Sequence, residues 1–180
     1  VARLRNHPSI ALWCGNNEIE EGWNNWGWQK QYGYSAKDSA AIYANYKKLF
    51  LNNIPDQLNR LDAGRVYYPS SPAHGWGRKE SLTSGDLHYW GVWWGLEPFE
   101  KYNEKVGRFV SEYGFQSFPA GESYSRFLSK ESMNLNAAAF KNHQKHPTGF
   151  ETISKYMERE YLVPSRFKDY AYVSQLLQAS

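Results

Sequence analysis

Two glutamates, Glu18 and Glu112, each follow a short apolar stretch that is typical of a buried strand. In a parallel barrel the carboxyl ends of the strands share one face, so glutamates at two such ends would converge in one cleft. A carboxyl pair suits cleavage of a glycosidic bond, in which one carboxylic acid protonates the departing oxygen and the other, ionised, attacks the anomeric carbon. Mutual repulsion and burial are expected to keep the acid partner protonated near neutral pH. Glu20 and Glu21, further along, are predicted to be solvated.

Aromatic residues are unusually frequent, with 8 Trp, 14 Tyr and 9 Phe making up 17% of the chain. Many of them stand beside polar residues, as in EGWNNWGWQ, HGWGR and LHYWGVWWG. Flat apolar faces with a polar edge suit sugar rings, whose axial C–H groups stack on indoles while their hydroxyls form hydrogen bonds. This pattern predicts an aromatic-lined binding cleft, although core packing would account for many of the rings.

The elements that must position these residues alternate along the chain. Strands are predicted within residues 9–15, 65–71, 87–94 and 107–117. Helices are predicted over 40–54 behind a capping box at 35–38, over 55–62, around 124–128, over 150–160 and from 165 onward. Residues 1–7 are expected to end a helix and 17–34 to form a long loop. Strands that alternate with helices indicate βαβ units, a parallel sheet and the α/β class.

Several classes of partner and cofactor are not supported by the composition. The net charge of +3 comes from scattered basic residues, so no nucleic acid is expected, and no apolar run is long enough to predict a membrane partner. The histidines have no ligand spacing apart from HQKH at 143–146, and no Gly-rich loop opens a helix, so we expect no metal and no cofactor. Two alternatives to an enzyme stay open: a non-catalytic carbohydrate-binding module, and binding of single-stranded nucleic acid on aromatic platforms.

Two segments, RLRNHPSIALWCGNNE and RFVSEYGFQS, resemble the acid/base and nucleophile segments of the β-mannosidases of glycoside hydrolase family 2. That resemblance implies a retaining, exo-acting hydrolase that releases terminal β-D-mannose through a glycosyl-enzyme ester. It makes Glu18 the general acid/base and Glu112 the nucleophile. The alternatives within the enzyme class are a galactosidase, glucuronidase or glucosaminidase of the same type.

The resemblance also implies a fold, a partial (β/α)8 TIM barrel that comprises about strands 4–7 with their helices. Residues 1–180 would be part of a single catalytic barrel domain, truncated at both ends, and the partner would be the rest of the same polypeptide, with the remaining strands and β-sandwich domains. Since four strands cannot close an eight-stranded barrel, the isolated chain is expected to be inactive. Periplasmic, secreted or lysosomal settings are favoured over a cytoplasmic one.

Five further residues are predicted to bind the carbohydrate substrate. Asn17 is placed to hydrogen-bond the 2-hydroxyl of the sugar, and Trp26, or less favourably Trp23, would form an aromatic wall around the leaving group. His88, Tyr89 and Trp90 lie on the presumed sixth strand, where a Tyr or His could hydrogen-bond the nucleophile and hold it ionised. Core packing is the competing interpretation for each of these aromatic residues.

Overall fold

Four short strands alternate with helices along the chain, whose computed structural model describes residues 1–180. They are β1 (Leu12–Cys14), β2 (Val66–Tyr68), β3 (Leu87–Tyr89) and β4 (Val110–Tyr113). All four lie inside the predicted stretches and are shorter than those stretches. β1 pairs in parallel with β2, and β3 pairs with β4 in a second two-stranded sheet. The predicted α/β class is therefore confirmed.

The helices account for most of the remaining regular structure. They are α1 (Ile19–Asn24), α2 (Trp28–Gln31), α3 (Ala36–Lys47), a π-helical turn (Lys48–Asn53), α4 (Ile54–Leu61), a 3₁₀ turn (Lys79–Leu82), α5 (Lys101–Glu104), α6 (Gly121–Tyr124), α7 (Ala138–Lys141), α8 (Gly149–Glu160) and α9 (Phe167–Ala179). None of these helices combines the length and the apolar character that crossing a membrane requires.

The predicted helices at 40–54, 55–62, 150–160 and 165 onward are confirmed. The helix predicted around 124–128 lies earlier, as α6. Two expectations were wrong. Residues 1–7 form hydrogen-bonded turns, because so few residues cannot offset the cost of helix nucleation, and the stretch 17–34 contains α1 and α2.

The start of α3 follows the predicted capping pattern. The Ser35 hydroxyl oxygen accepts a hydrogen bond from the Asp38 backbone N–H at 3.1 Å. The same hydroxyl donates to the Asp38 carboxylate at 2.6 Å. One otherwise unpaired N–H of the first turn is thereby satisfied, and Asp38 places a negative charge at the positive end of the helix.

The chain divides into two compact units, of which the first comprises Val1–Tyr89 and Val106–Glu112 and the second Trp90–Lys105 and Tyr113–Ser180. The core of the first includes Leu58, Leu87 and Tyr89. The core of the second forms around α8 and α9, with aromatic and aliphatic side chains that include Phe118, Phe140, Ile153, Tyr156, Met157 and Leu177. Every residue that pairs with Glu18 or Glu112 below belongs to the first unit.

The close approach of β1 to β2 depends on a glycine. The Gly15 N–H donates to the Tyr68 carbonyl at 2.9 Å and so extends the parallel ladder beyond β1. A Cβ at position 15 would lie 2.4 Å from the Pro69 carbonyl oxygen and 2.6 Å from the Tyr67 hydroxyl oxygen. Only glycine fits here, and the need is for space, since its φ is not in the left-handed region.

Candidate functional site

The backbone ladder between the first two strands continues until it reaches Glu18. The Ser71 N–H donates to the Asn16 carbonyl at 2.9 Å, and the Glu18 N–H donates to the Ser71 carbonyl at 2.7 Å. Asn17 faces Ser71 in an isolated parallel bridge. The sheet therefore sets the position of the Glu18 backbone directly beside that of Ser71.

Asn16 closes the turn between strand and helix with both ends of its side-chain amide. Its Nδ2 donates to the Pro69 carbonyl at 2.7 Å and to the Tyr46 hydroxyl at 3.2 Å. Its Oδ1 accepts from the Ser70 hydroxyl at 2.8 Å and from the Ile19 N–H at 3.2 Å. Because both the amide nitrogen and the amide oxygen of Asn16 are in use, this residue holds the turn.

Glu18 has an unusual backbone conformation for a residue with a side chain. Its φ is 59° and its ψ is 4°, in the left-handed region, at the N-cap position of α1. Its carbonyl accepts a hydrogen bond from the Gly22 N–H at 2.8 Å, so the helix and the ladder hold the residue from both sides. Backbone strain of this kind clusters at functional sites, because it is retained only where the surrounding structure over-determines it.

The side chains of Glu18, His88 and Glu112 meet in one cluster. His88 Nδ1 lies 2.8 Å from Glu18 Oε1 and 3.3 Å from Glu112 Oε2. The nitrogen and the two carboxylate oxygens all lie within 4.8 Å of one another. The His88 side chain is 2% exposed, whereas the side chains of Glu18 and Glu112 are 22% and 36% exposed. The histidine is thus inaccessible, while both carboxyl groups can be reached from solvent.

A second carboxylate, Asp86, lies behind the histidine and is buried. It accepts hydrogen bonds from the Ser71 hydroxyl, from the Ser111 hydroxyl at 2.7 Å and from the Ala73 N–H at 2.7 Å. Burial by itself would raise the pKa of Asp86, but the serine hydroxyls and the Ala73 N–H outweigh it and lower that pKa below its usual value. Asp86 is therefore a carboxylate at neutral pH.

The Ser71 hydroxyl links this buried carboxylate to the histidine. Ser71 Oγ lies 2.9 Å from His88 Nε2, on the side of the ring opposite to the two glutamates. Asp86, Ser71, His88 and Glu18 consequently form a continuous hydrogen-bonded chain from the interior to the exposed carboxyl group.

Glu21 is buried, with 6% exposure, so its predicted solvation was wrong. Its carboxylate accepts from the Asn25 side chain at 3.0 Å and the Gly75 N–H at 3.2 Å, and it pairs with Arg78 at 3.4 Å. These contacts anchor the loop that follows β2. Glu20 instead accepts from the hydroxyl of Tyr43 at 2.9 Å.

Of the two residues predicted for the aromatic wall, Trp23 lies in α1 and Trp26 lies between α1 and α2. Trp26 is half exposed and contacts Trp28 edge to face at 5.9 Å. Trp23 stacks on Tyr43 with an interplanar angle of 4°, so its ring is engaged in packing. The role of Trp26 in substrate binding stays a prediction.

The remaining predicted binding residues are Asn17, Tyr89 and Trp90. The Asn17 residue is exposed next to Glu18, and Tyr89 is buried on β3. Trp90 belongs to the second unit, where its carbonyl accepts from the Gly95 N–H at 3.0 Å. Their contacts with a sugar stay predictions.

Sequence reasoning missed Asp86, Ser71 and Ser111. A signal for Asp86 was present, because residues two apart in a strand share a face and Asp86 precedes His88 by two. Ser111 adjoins Glu112, and Ser71 lies just past β2, but no local pattern distinguishes either from an ordinary serine.

Glu18, His88 and Glu112 also offer one ligand atom each to a divalent cation. The 2.8 Å contact between Glu18 and His88 is a hydrogen-bond distance, so these atoms already satisfy each other. The cluster belongs to the first unit, whereas the HQKH motif belongs to the second.

Comparisons with known proteins show which proteins this chain is similar to. No protein-family model matches the chain. The chain is 31% identical over 190 positions to β-mannosidase B of Thermothelomyces thermophilus, and 29% identical over 198 positions to the β-mannosidase of Mus musculus. Both alignments cover 99% of this chain, but only 22% and 21% of those proteins.

A crystal structure of β-D-mannosidase from Dictyoglomus thermophilum superposes on 98% of the chain with a TM-score of 0.80 and 35% identity. The match covers 20% of that structure, and the chain spans about a fifth of the length of the curated relatives it matches. The proteins to which this α/β fold and its sequence are similar are glycosidases. Within that class they are β-mannosidases, so the resemblance predicted from the two motifs is confirmed.

Proposed function

We propose that the chain supplies the catalytic carboxyl pair of a retaining β-mannosidase, with Glu112 as nucleophile and Glu18 as general acid/base. The observation that carries this proposal is the approach of the two carboxylates, whose oxygens lie within 4.8 Å of each other and of His88 Nδ1. Retaining glycosidases hold their carboxyl groups roughly 5–5.5 Å apart, whereas inverting enzymes need roughly 6.5–9.5 Å to admit a water molecule. The short spacing supports double displacement.

The reaction follows from the two roles. The Glu112 carboxylate attacks the anomeric carbon as the bond to the departing oxygen breaks, and Glu18 gives its proton to that oxygen. The product is an ester between Glu112 and the sugar. Glu18, now ionised, takes a proton from water, which attacks the same carbon and releases Glu112. The proton that Glu18 gives to the departing oxygen in the first step is regained from water in the second, and two inversions leave the configuration unchanged.

The fold that would hold the pair is a segment of a (β/α)8 barrel, with β1 to β4 as its strands 4 to 7. The parallel pairing of β1 with β2 and the glutamates at or near the ends of β1 and β4 support this arrangement. The remaining strands and the β-sandwich domains of the same polypeptide would be the partner. Terminal β-D-mannose is the proposed substrate because the relatives are named β-mannosidases.

Two variants with azide separate the two roles. The protein, expressed from its complete coding sequence, is assayed on an aryl β-mannoside while NMR follows the anomer that forms first. With Glu112→Gly we expect loss of turnover and its rescue by azide as the α-mannosyl azide, since one displacement inverts. With Glu18→Ala we expect the β-mannosyl azide, since azide replaces water in the second displacement. Glu20→Ala is the matched control and should keep its activity, because Glu20 does not contact the pair.

Three results would contradict the proposal. They are an α-configured first product from the wild type, the same loss from Glu20→Ala as from Glu112→Gly, and activity that EDTA abolishes and added divalent metal restores. Sugar binding that persists without any hydrolysis would favour a carbohydrate-binding module. Faster hydrolysis of an aryl β-galactoside, glucuronide or glucosaminide would instead assign a related activity.

A further inference from the structure

We propose that Asp86 and Ser71 are positioning residues that hold His88 as its Nε2–H tautomer, so that the Nδ1 lone pair keeps one proton in the Glu18–Glu112 site. This inference rests on the proposed function and extends it to residues that touch neither sugar nor reacting atom.

The Ser71 hydroxyl has one proton and three polar neighbours, which are the Asp86 carboxylate, His88 Nε2 and, at 3.4 Å, the Ser111 hydroxyl. The Ser111 hydroxyl directs its own proton to Asp86, so that proton is not donated to Ser71. Asp86, held ionised by its three donors, can only accept, so the Ser71 proton points to Asp86. Ser71 Oγ must then be the acceptor in its 2.9 Å contact with His88 Nε2. That contact requires a hydrogen on Nε2. The hydrogen bonds thereby specify the protonation of a ring nitrogen, because a misplaced proton here would leave two buried acceptors facing each other.

The opposite edge of the ring faces Glu18 and Glu112. In neutral His88 with its hydrogen on Nε2, Nδ1 is an acceptor. An acceptor cannot lie 2.8 Å from the Glu18 carboxyl group unless a proton lies between them. The cluster of Glu18, His88 and Glu112 therefore holds one shared proton and a net charge of about −1, counted from its ionisable groups. The charged groups on the two sides of the ring are Glu18 from the end of β1, Glu112 from β4 and, through Ser71, Asp86.

This proton inventory matches both halves of the double displacement. Before attack, the shared proton is available on Glu18 for the departing oxygen. After attack, Glu112 is an uncharged ester and the Glu18 carboxylate faces the Nδ1 lone pair, which favours uptake of a proton from water. The cluster carries the same net charge before and after each step, so the buried ring need not gain charge at 2% exposure.

Two substitutions test the chain from Asp86 to His88. In Asp86→Asn the new amide donates to Ser71, whose proton then turns to His88 Nε2. In Ser71→Ala the Nε2–H has no acceptor. Both changes favour a hydrogen on Nδ1. The Nδ1–H then donates to the Glu18 carboxylate, and the cluster no longer holds the proton that Nδ1 and Glu18 share in the wild type. We expect the alkaline limb of the kcat/KM profile for an aryl β-mannoside to fall by about one pH unit, which is a loss of about tenfold at pH values on that limb.

The tautomer is determined by NMR of protein labelled with ¹⁵N-histidine. The His88 signal is identified as the one that is absent from the spectrum of His88→Gln. We expect hydrogen on Nε2 in the wild type and on Nδ1 in Ser71→Ala and Asp86→Asn. Ser111→Ala is the matched control: it removes another hydroxyl donor to Asp86 and a 3.4 Å contact of Ser71 Oγ, keeps the Ser71 and His88 side chains, and should keep the wild-type tautomer. Ser71→Thr, which retains the hydroxyl, should restore both the tautomer and the alkaline limb.

The proposal is overturned if wild-type His88 carries its hydrogen on Nδ1 alone. It is also overturned if Ser71→Ala leaves the tautomer and the alkaline limb unchanged while Asp86→Asn moves the alkaline limb. In that case loss of the negative charge of Asp86 explains the shift without any change of tautomer. An equal shift in Ser111→Ala would show a general disturbance around Asp86 and overturn it as well. The NMR measurement needs no turnover, so failure of the azide experiments would reject the proposed function without deciding the tautomer.

Discussion

Substitution of Gly15 by alanine tests whether the strand ladder positions the candidate acid. The added methyl would lie 2.4 Å from the Pro69 carbonyl oxygen, 2.6 Å from the Tyr67 hydroxyl oxygen and 2.8 Å from the Phe50 ring. Ordinary van der Waals contact begins at 3.4 Å, so β1 must move away from β2. Because the Pro69 atom belongs to the backbone, a side-chain rotation cannot relieve the clash. We estimate a displacement of about 1 Å, the difference between that contact distance and the closest approach.

The expected cost follows from that displacement. Overpacking typically costs about 1–3 kcal/mol, and each weakened ladder hydrogen bond adds about 1 kcal/mol. The free energy of local opening at residues 66–72 should therefore fall by about 2–5 kcal/mol. The ladder ends at the Glu18 N–H, so the carboxyl group moves with it. A misplacement of about 1 Å at a catalytic group costs about 100-fold in rate.

Two measurements check this prediction. Hydrogen exchange followed by mass spectrometry reports protection of residues 66–72, and kcat/KM is measured with an aryl β-mannoside. The matched control is Gly64→Ala, because a Cβ at Gly64 meets no atom within 4 Å and its φ is not in the left-handed region. If Gly15→Ala hydrolyses the substrate as fast as Gly64→Ala and keeps its protection, the ladder does not position Glu18 and the reasoning is refuted.

Three further predictions follow from the same site. Asn16→Ala removes four hydrogen bonds at the turn and should lower the free energy of local opening of residues 16–24 by about 2–4 kcal/mol, measured by hydrogen exchange; unchanged protection would contradict it. Because the pKa of Asp86 is lowered in the folded protein, its stabilisation is present above the unfolded pKa of about 3.9 and is lost as pH falls through the folded pKa. Asp86→Asn should thus reduce protection of residues 66–89 at pH 7, and the gap from wild type should close below about pH 4; a gap independent of pH would contradict it. The isolated 180 residues should show no hydrolysis of an aryl β-mannoside, since four strands cannot close an eight-stranded barrel; detectable turnover would contradict this.

Local rules explain which elements could be predicted. Apolar runs followed by polar residues located the four strands, and helical spacing located α3, α8 and α9. These signals depend on residues within one or two turns of each other, so the sequence carries them directly. The same rules misjudged residues 1–7, where good helix formers are too few to nucleate a helix.

Neighbours far apart in sequence set the limits of prediction. Glu21 was expected in solvent because a glutamate in a polar stretch is usually solvated. The loop after β2 covers it and supplies Arg78 and the Gly75 N–H as partners. No property of the segment around Glu21 indicates which loop will lie above it.

The sequence by itself determined that two glutamates follow strands and that their motifs resemble those of β-mannosidases. Only the tertiary structure decided that His88, expected beside the nucleophile, is buried and approaches Glu18 more closely than Glu112, and that Ser71 and Asp86 lie on the other side of its ring. The physical reason is that side-chain hydrogen bonds require atoms within about 3 Å. Distances of that kind between separate strands depend on how those strands pack, which no short stretch of sequence specifies.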